Sequence, residues 1–350
     1  MPIMRQVIVV GAGQSGLAAA RALLDRGLRP LVLEAGADTA GSWPHYYASL
    51  RLFTPAHFNT LPGLGFPGDP DRYPTRDEMA DYLRAVAAGL DCEIRTGHRV
   101  SEVTRADGHY RVRTRHGAEF TAAAVVAATG SFGNPYRPRL AGLAGYTGTV
   151  VHASEYHDPA PYAGKRVVVV GAGNSAVQIA VELAEHARVS LASRAPIRYA
   201  TTEPVPAGSR FWSVLSAAGR LPAGSLFGRG AIPVLDIGGY GTAIAAGRPD
   251  RRDLFVRADD DTLHWADGTA ERVDVVILAT GYRPALDYLR PLAEPRQRNG
   301  LSRRHPGLAF VGLEYQRTIL SATVHGVGRD ARHVARVLSR SVRCGRNGVA

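Results

Sequence analysis

Two short runs of uninterrupted aliphatic residues, Val7–Val10 and Val167–Val170, carry no polar alternation. A strand of that kind is covered on both faces, which is the mark of a parallel sheet. Each run continues into the same pattern: VIVVGAGQSG ends at Gly16 and VVVVGAGNSA ends at Ala176. Helical periodicity follows in LAAARALLDRG and in AVQIAVELAEHA, and a further strand follows each helix, PLVLEAG and RVSLASR. The chain therefore predicts the same strand, glycine turn, helix and strand twice.

The repeat extends further. AAAVVAATG closes the first unit at Gly130, and VDVVILATG closes the second at Gly281. Each closing strand is preceded by hairpin sequence, with turns expected at His116–Gly117 and at Asp267–Gly268, and these read as small antiparallel sheets beside the parallel ones. Proline- and glycine-rich sequence after Gly130 and YRPALDYLRP after Gly281 read as crossings between the units. The C-terminal stretch reads as strand, irregular turn and helix, with Gly326 and Gly328 preceding the helix. The expected fold is α/β: two Rossmann-like dinucleotide-binding domains, each with a small antiparallel β-meander. The boundaries are 1–150, an inserted 151–283, and a return segment 284–350; the length of 350 residues accommodates them.

The glycine turns carry chemistry. Gly11 turns the chain sharply, Gly13 lets a pyrophosphate approach the backbone, and Gly16 lets the helix pack closely. Free N–H groups and the helix dipole then face the phosphates. Glu34 lies 34 − 16 = 18 residues past the third glycine, where a carboxylate accepts from ribose hydroxyls. In the second unit Gly171, Gly173 and Ala176 repeat the turn, but Ser193 and Arg194 stand where the acid would be. An arginine fork suits a ribose 2′-phosphate that a carboxylate would repel. The first turn suits FAD or NAD, the second NADP.

Net charge is +11, yet Lys165 is the only lysine and the arginines are scattered, so the basicity reads as a compositional bias rather than a nucleic-acid site. Cys92 and Cys344 form no Cys-x-x-Cys pair, which excludes a redox-active dithiol and argues against a metal centre. No apolar run approaches the roughly 20 residues of a membrane span. The first strand starts almost at once, leaving no room for a signal peptide, so a cytoplasmic location is expected.

Beyond the turns, GSW (Gly41–Trp43), LRLFTP from Leu50, YPTRDEMADYL, LATGY and the FVGL…Q…SAT…GVGRDA tail together resemble the flavin-containing monooxygenases. The likeness is to the short bacterial and plant-type members, which include the indole-pyruvate enzymes. The family's interdomain motif, F-x-G-x-x-x-H-x-x-x-(F/Y), reads here Tyr146, Gly148, His152 and Tyr156, with Tyr in the place of the usual Phe. Baeyer–Villiger relatives carry Trp-Pro or Trp-Asp where this chain has Tyr156-His157.

The resemblance implies FAD on Gly11, Gly13, Gln14, Ser15, Gly16, Glu34, Ser42, Trp43, Val100, Thr129, Gly130, Gln316 and Ser321. It implies NADPH on Gly171, Gly173, Asn174, Ser175, Ala176, Ser193 and Arg194, with Thr280, Gly281 and Tyr282 as further cofactor-binding residues. It implies a flavin C4a-hydroperoxide that oxygenates a small molecule with O2, at nitrogen or sulfur. The alternatives are Baeyer–Villiger oxygenation, oxidative decarboxylation of a 2-oxo acid, and an NADPH oxidase or electron-transfer reductase. Thr54, His152 and Tyr156 are the side chains nearest to a catalytic role, His152 as a hinge residue rather than a proton donor. Segments 51–66 and 208–230 are candidate substrate walls, the second equally readable as a helical insertion. No nucleic acid, membrane or metal partner is expected, and a homodimer is left open.

Overall fold

The computed structural model describes residues 4–346 except 202, 223, 225–232 and 294–295. The first aliphatic run forms β1 (Met4–Val10), whose last four side chains are buried. It lies between β2 (Pro30–Leu33) and β6 (Glu119–Ala127), parallel to both. Beyond β2 lies β3 (Glu93–Arg95), and beyond β6 lies β17 (Leu308–Phe310), again parallel. The short β15 (Gln297–Arg298) and β16 (Leu301–Ser302) extend that edge antiparallel. The return of β17 to β6 brings residues beyond 300 back to the first sheet.

The hairpin before Gly130 differs from expectation. β4 (Val100–Ala106) and β5 (His109–Thr114) pair antiparallel, and β5 pairs with the start of β6. They are therefore an outgrowth of the same nine-stranded sheet rather than a separate one. The turn at Gly117 has φ +83°, which a glycine adopts without penalty.

The second sheet has the order β10-β9-β8-β14-β7 and is parallel throughout. Its members are β7 (Thr149–His152), β8 (Arg166–Val170), β9 (Arg188–Ser193), β10 (Asp250–Asp253) and β14 (Val275–Leu278). The boundary expected at residue 150 falls inside β7, because Val150 pairs with Val276 in the middle of this sheet. Here the hairpin does form its own sheet: β11 (Arg257–Asp259), β12 (Thr262–His264) and β13 (Ala270–Arg272). Arg166 fastens it to the parallel sheet, donating from Nε and Nη2 to the two Glu271 carboxylate oxygens at 2.8 and 2.7 Å.

Helix α1 (Gln14–Leu24) starts three residues earlier than its apolar pattern suggested. Its alanines 18–20 are buried, and their small size lets the long α6 (Val324–Arg346) lie against it through Val327, Ala331, Val334 and Leu338. Gly326 and Gly328 are inside α6, not ahead of it. A Cβ at Gly326 would stand 2.0 Å from the Leu320 carbonyl oxygen, and one at Gly328 3.0 Å from Pro62, so both glycines serve close packing. Between these helices in sequence come α2 (Arg76–Ala88), α3 (Asn174–Leu183), α4 (Arg210–Ala218) and α5 (Tyr240–Ala245). A reciprocal Thr75–Glu78 capping box starts α2.

Candidate functional site

At the first turn, Gly11 has φ +102° and a Cβ there would lie 2.7 Å from the Ala128 carbonyl oxygen. A Cβ on Gly16 would lie 1.8 Å from the Gly11 carbonyl oxygen, so α1 sits directly on the turn. Gly41 crosses Gly13 so closely that its Cβ would stand 2.7 Å from the Gly13 Cα. Gly13 caps α1 with no side-chain hydrogen bond, which leaves the first N–H groups for a ligand. Glu34 is buried at the end of β2; its Oε2 accepts from Ala12 N–H at 2.6 Å and its Oε1 from Gly36 N–H at 2.8 Å. Each carboxylate oxygen keeps a second lone pair for a ribose hydroxyl. Val100 follows close by, since His98 N–H donates to the Glu34 carbonyl at 2.7 Å. Trp43 Nε1 donates to Gln14 Oε1 at 2.9 Å, fixing GSW over the turn. Ser42 hydrogen-bonds Tyr46, and Ser15 packs on Gly312, where a Cβ would meet its Oγ at 2.0 Å.

The second turn is as close at its first glycine and more open at its second. A Cβ on Gly171 would come 2.9 Å from the Ala176 Cβ and 2.3 Å from the Ala279 carbonyl oxygen, whereas around Gly173 there is open space. Gly173 caps α3, again without a side-chain bond. Asn174 Oδ1 accepts from Leu235 N–H at 3.0 Å, holding the 234–236 segment beside the turn. Ser175 and Gln178 face Tyr47 from the other sheet's loop, and the Tyr47 hydroxyl donates to Gln178 Oε1 at 2.7 Å. At the end of β9, Ser193 is buried and its hydroxyl proton is committed to the Ala195 carbonyl at 2.7 Å. Arg194 is exposed beside it.

The two crossings run antiparallel against each other. Ala285 N–H donates to Gly130 O, Arg283 N–H to Asn134 O and Tyr136 N–H to Gly281 O, each at 2.9 Å. The Thr129 hydroxyl donates to the Ala285 carbonyl and the Thr280 hydroxyl to the Tyr136 carbonyl. Each Ala-Thr-Gly threonine thus clamps the opposite crossing. The His152 ring joins them. Its Nδ1 accepts from Ser154 N–H at 3.1 Å, so the proton is on Nε2, which donates to the Gly281 carbonyl at 3.1 Å. Burial lowers the His152 pKa, consistent with a neutral hinge pin. Tyr156 is fully buried and its hydroxyl donates to Glu182 at 2.7 Å; burial, with the Glu182 carboxylate next to it, raises its pKa. Neither ring faces an open site. Tyr146 donates to the Val273 carbonyl, and its ring leaves no room for a Cβ at Gly148.

A chain of rings links the turn to this hinge: Trp43–Tyr46 at 5.6 Å, Tyr46–Phe132 at 4.6 Å, Phe132–Tyr282 at 5.5 Å and Tyr282–His152 at 5.0 Å. Tyr46 and Phe132 carry no motif and were not expected. Burial pushes the Tyr46 pKa up to about 12, so the hydroxyl is neutral.

Thr54 is buried and donates to Asn59 Oδ1 at 2.9 Å, while Asn59 Nδ2 returns to the Thr54 and Pro55 carbonyls. The pair staples its own loop; Asn59 was missed because its partners are only four and five residues away in an irregular turn. Ser321 is likewise occupied, its Oγ accepting from Arg317 and Thr318 N–H. Gln316 accepts from Leu313 N–H at 3.3 Å, and its buried Nε2 has no partner among the described residues. Of the expected wall 208–230, α4 is helical with Trp212 buried on Phe58, while 223 and 225–230 lie outside the described residues. His325, not anticipated, stacks on Phe58 at 4.4 Å and reaches Ser216 Oγ at 2.8 Å.

Two uncapped helix ends, each above a glycine turn and tied through interlocked crossings, define an oxidoreductase that holds two dinucleotides. A family model described as pyridine nucleotide-disulphide oxidoreductase matches residues 8–206. An uncharacterized CzcO-like oxidoreductase of Geobacillus kaustophilus is 31% identical over 94% of this chain and 96% of its own. Indole-3-pyruvate monooxygenase YUCCA1 of Oryza sativa subsp. japonica is 32% identical over 94% of this chain and 90% of its own. A solved flavin-containing monooxygenase of Stenotrophomonas maltophilia superposes with TM-score 0.83 at 32% identity, covering 96% and 98% of the two chains. The chain belongs to the flavin-containing monooxygenases and is a flavin-dependent monooxygenase that uses FAD and NADPH. The residues present fit both groups: Glu34 with spare lone pairs below an uncapped helix, and open space over Gly173. Among the described residues no helix is long and apolar enough to cross a membrane.

Proposed function

We propose that this enzyme oxygenates a small molecule at a nitrogen or sulfur atom, drawing electrons from NADPH in the cytoplasm. The two units are the FAD domain, interrupted at β7, and the inserted NADP domain. Bound flavin supplies hydride acceptance and oxygen activation; the protein supplies position and dryness. Residues Gly11–Gly16 and Glu34 hold FAD, and Gly171–Ala176 with Arg194 hold NADPH and read its 2′-phosphate. Thr129, Thr280 and His152 keep the two turns in register. The ring chain from Trp43 to Tyr282 excludes water between them, and neutral Tyr46 and His152 place no charge there.

The observation that carries the reading is the reciprocal clamp of the crossings, which suits hydride passage between two fixed nucleotides. The 32% identity with a plant indole-3-pyruvate monooxygenase favours a second reading, oxidative decarboxylation of a 2-oxo acid. NADPH consumption is measured against product and peroxide with an amine, a thioether, a ketone and indole pyruvate. Tight coupling to the amine or thioether supports the proposal, and coupling to indole pyruvate alone replaces it with the second reading. Stoichiometric peroxide with all four reduces the protein to an NADPH oxidase.

A further inference from the structure

One side of α6 carries charge that the redox site does not use. Arg329, Arg332, His333 and Arg336 follow the i, i+3, i+4, i+7 spacing of a single helix face, opposite the face buried on α1. Arg220 after α4, Arg317 before α6 and Arg26 past the end of α1 converge on them around a cavity of about 310 Å3. Several arginines elsewhere are matched with acids: Arg84 with Asp38 and Asp81, Arg113 with Glu119, Arg29 with Asp91. Of Arg220, Arg317, Arg329, Arg332 and Arg336, only Arg317 pairs with a carboxylate among the described residues, the buried Asp330 at 3.3 Å. Arg220, Arg329, Arg332 and Arg336 form no ion pair among the described residues. Like charges three and four residues apart destabilise a helix, so this face is strained by its own repulsion.

We propose that this cavity binds a short chain of phosphates, two or three in length, as in free polyphosphate or the end of a nucleoside triphosphate. Arginine forks match phosphate oxygens two at a time, and the guanidinium groups of Arg220, Arg329, Arg332 and Arg336 together exceed what one carboxylate or one phosphate satisfies. The repulsion is visible in Arg329, whose pKa is lowered by burial and by the charges of Arg220 and Arg332. His333, its pKa lowered by burial and by the charges of Arg317 and Arg336, adds no further positive charge at neutral pH. The site is separate from the dinucleotide turns: thirteen residues of α1 and its extension place Arg26 roughly 20 Å from Gly13 at the helical rise.

The test uses holoenzyme carrying FAD and saturated with NADP⁺, so that neither turn competes. Tripolyphosphate and ATP are titrated calorimetrically at about 50 mM salt, where screening is modest. One saturable site per chain is expected, with affinity at least about tenfold weaker in Arg332→Gln/Arg336→Gln as two charge-assisted contacts are lost. Arg340→Gln, an exposed control on the same helix, is expected to bind as the parent does, and all variants to oxidise NADPH at the parental rate. Tighter binding of ATP than of tripolyphosphate assigns the phosphates to a nucleotide; equal binding assigns them to the phosphate chain alone. Unsaturable binding, or equal affinity in the double variant, overturns the proposal.

Discussion

Replacing Gly16 with alanine tests the first turn against the second. The new Cβ would stand 1.8 Å from the Gly11 carbonyl oxygen and 2.8 Å from its carbon. Unstrained contacts lie at about 3.5 Å, so α1 must retreat by roughly 1.7 Å or the turn must open. Overpacking of this kind costs about 1–3 kcal/mol. If that cost falls on the FAD-bound conformation, affinity drops about 5- to 150-fold at 1.4 kcal/mol per decade. Ala176 occupies the matching place in the second unit, where the turn already stands off to accept a Cβ. Ala176→Gly is therefore expected to change NADPH affinity less than about threefold, since no clash is relieved. The assay is flavin absorbance per chain after purification, followed by FAD titration of the apoprotein. A Gly16→Ala protein that binds FAD within twofold of the parent refutes the close-packing argument.

Two further outcomes concern the second unit, which the proposal assigns to NADPH. Arg194→Ala is expected to raise the KM for NADPH about 10- to 100-fold through loss of charge-assisted bonds, and to leave the KM for NADH within about threefold; equal effects on both, in steady-state kinetics, remove Arg194 from the phosphate site. Glu271→Gln breaks the fork with Arg166 and is expected to cost about 1–3 kcal/mol in chemical denaturation at pH 7, less than a fully buried pair because Glu271 is partly exposed. Arg166 holds the Glu271 pKa below its ordinary value of 4.5, so the parent's advantage is full above that pH and fades as pH falls through the lowered value. An advantage that persists unchanged at pH 2 contradicts this assignment.

What the sequence made legible was local. Aliphatic runs, glycine spacing and the acid after β2 each follow from a few neighbouring residues, and the structure forms both strand–turn–helix units from them. Glycines near α6 misled for the same reason: Gly326 and Gly328 look like helix breakers until Leu320 and Pro62 are seen against them. His152 and the two crossings were expected at the hinge, but the bonds that clamp it were illegible because they join residues far apart, Thr129 to Ala285 and Thr280 to Tyr136. Tyr47 reaching Gln178 across the two sheets has no signature at all, since a buried tyrosine in a loop reads like any core aromatic.

The duplication explains why the hinge takes this form. Two copies of one unit end in the same Ala-Thr-Gly, so each delivers a threonine hydroxyl and a positive-φ glycine at the mouth of its own sheet. Placed face to face, the two crossings become a two-stranded antiparallel tie, and each hydroxyl finds the carbonyl of the other strand. His152 closes the tie at a point that neither copy supplies alone, because β7 pairs with β14 and brings the ring onto the Gly281 carbonyl. A change in either crossing therefore removes a bond that holds both units together. The separation between the turns is set by backbone bonds and one neutral imidazole rather than by a flexible linker.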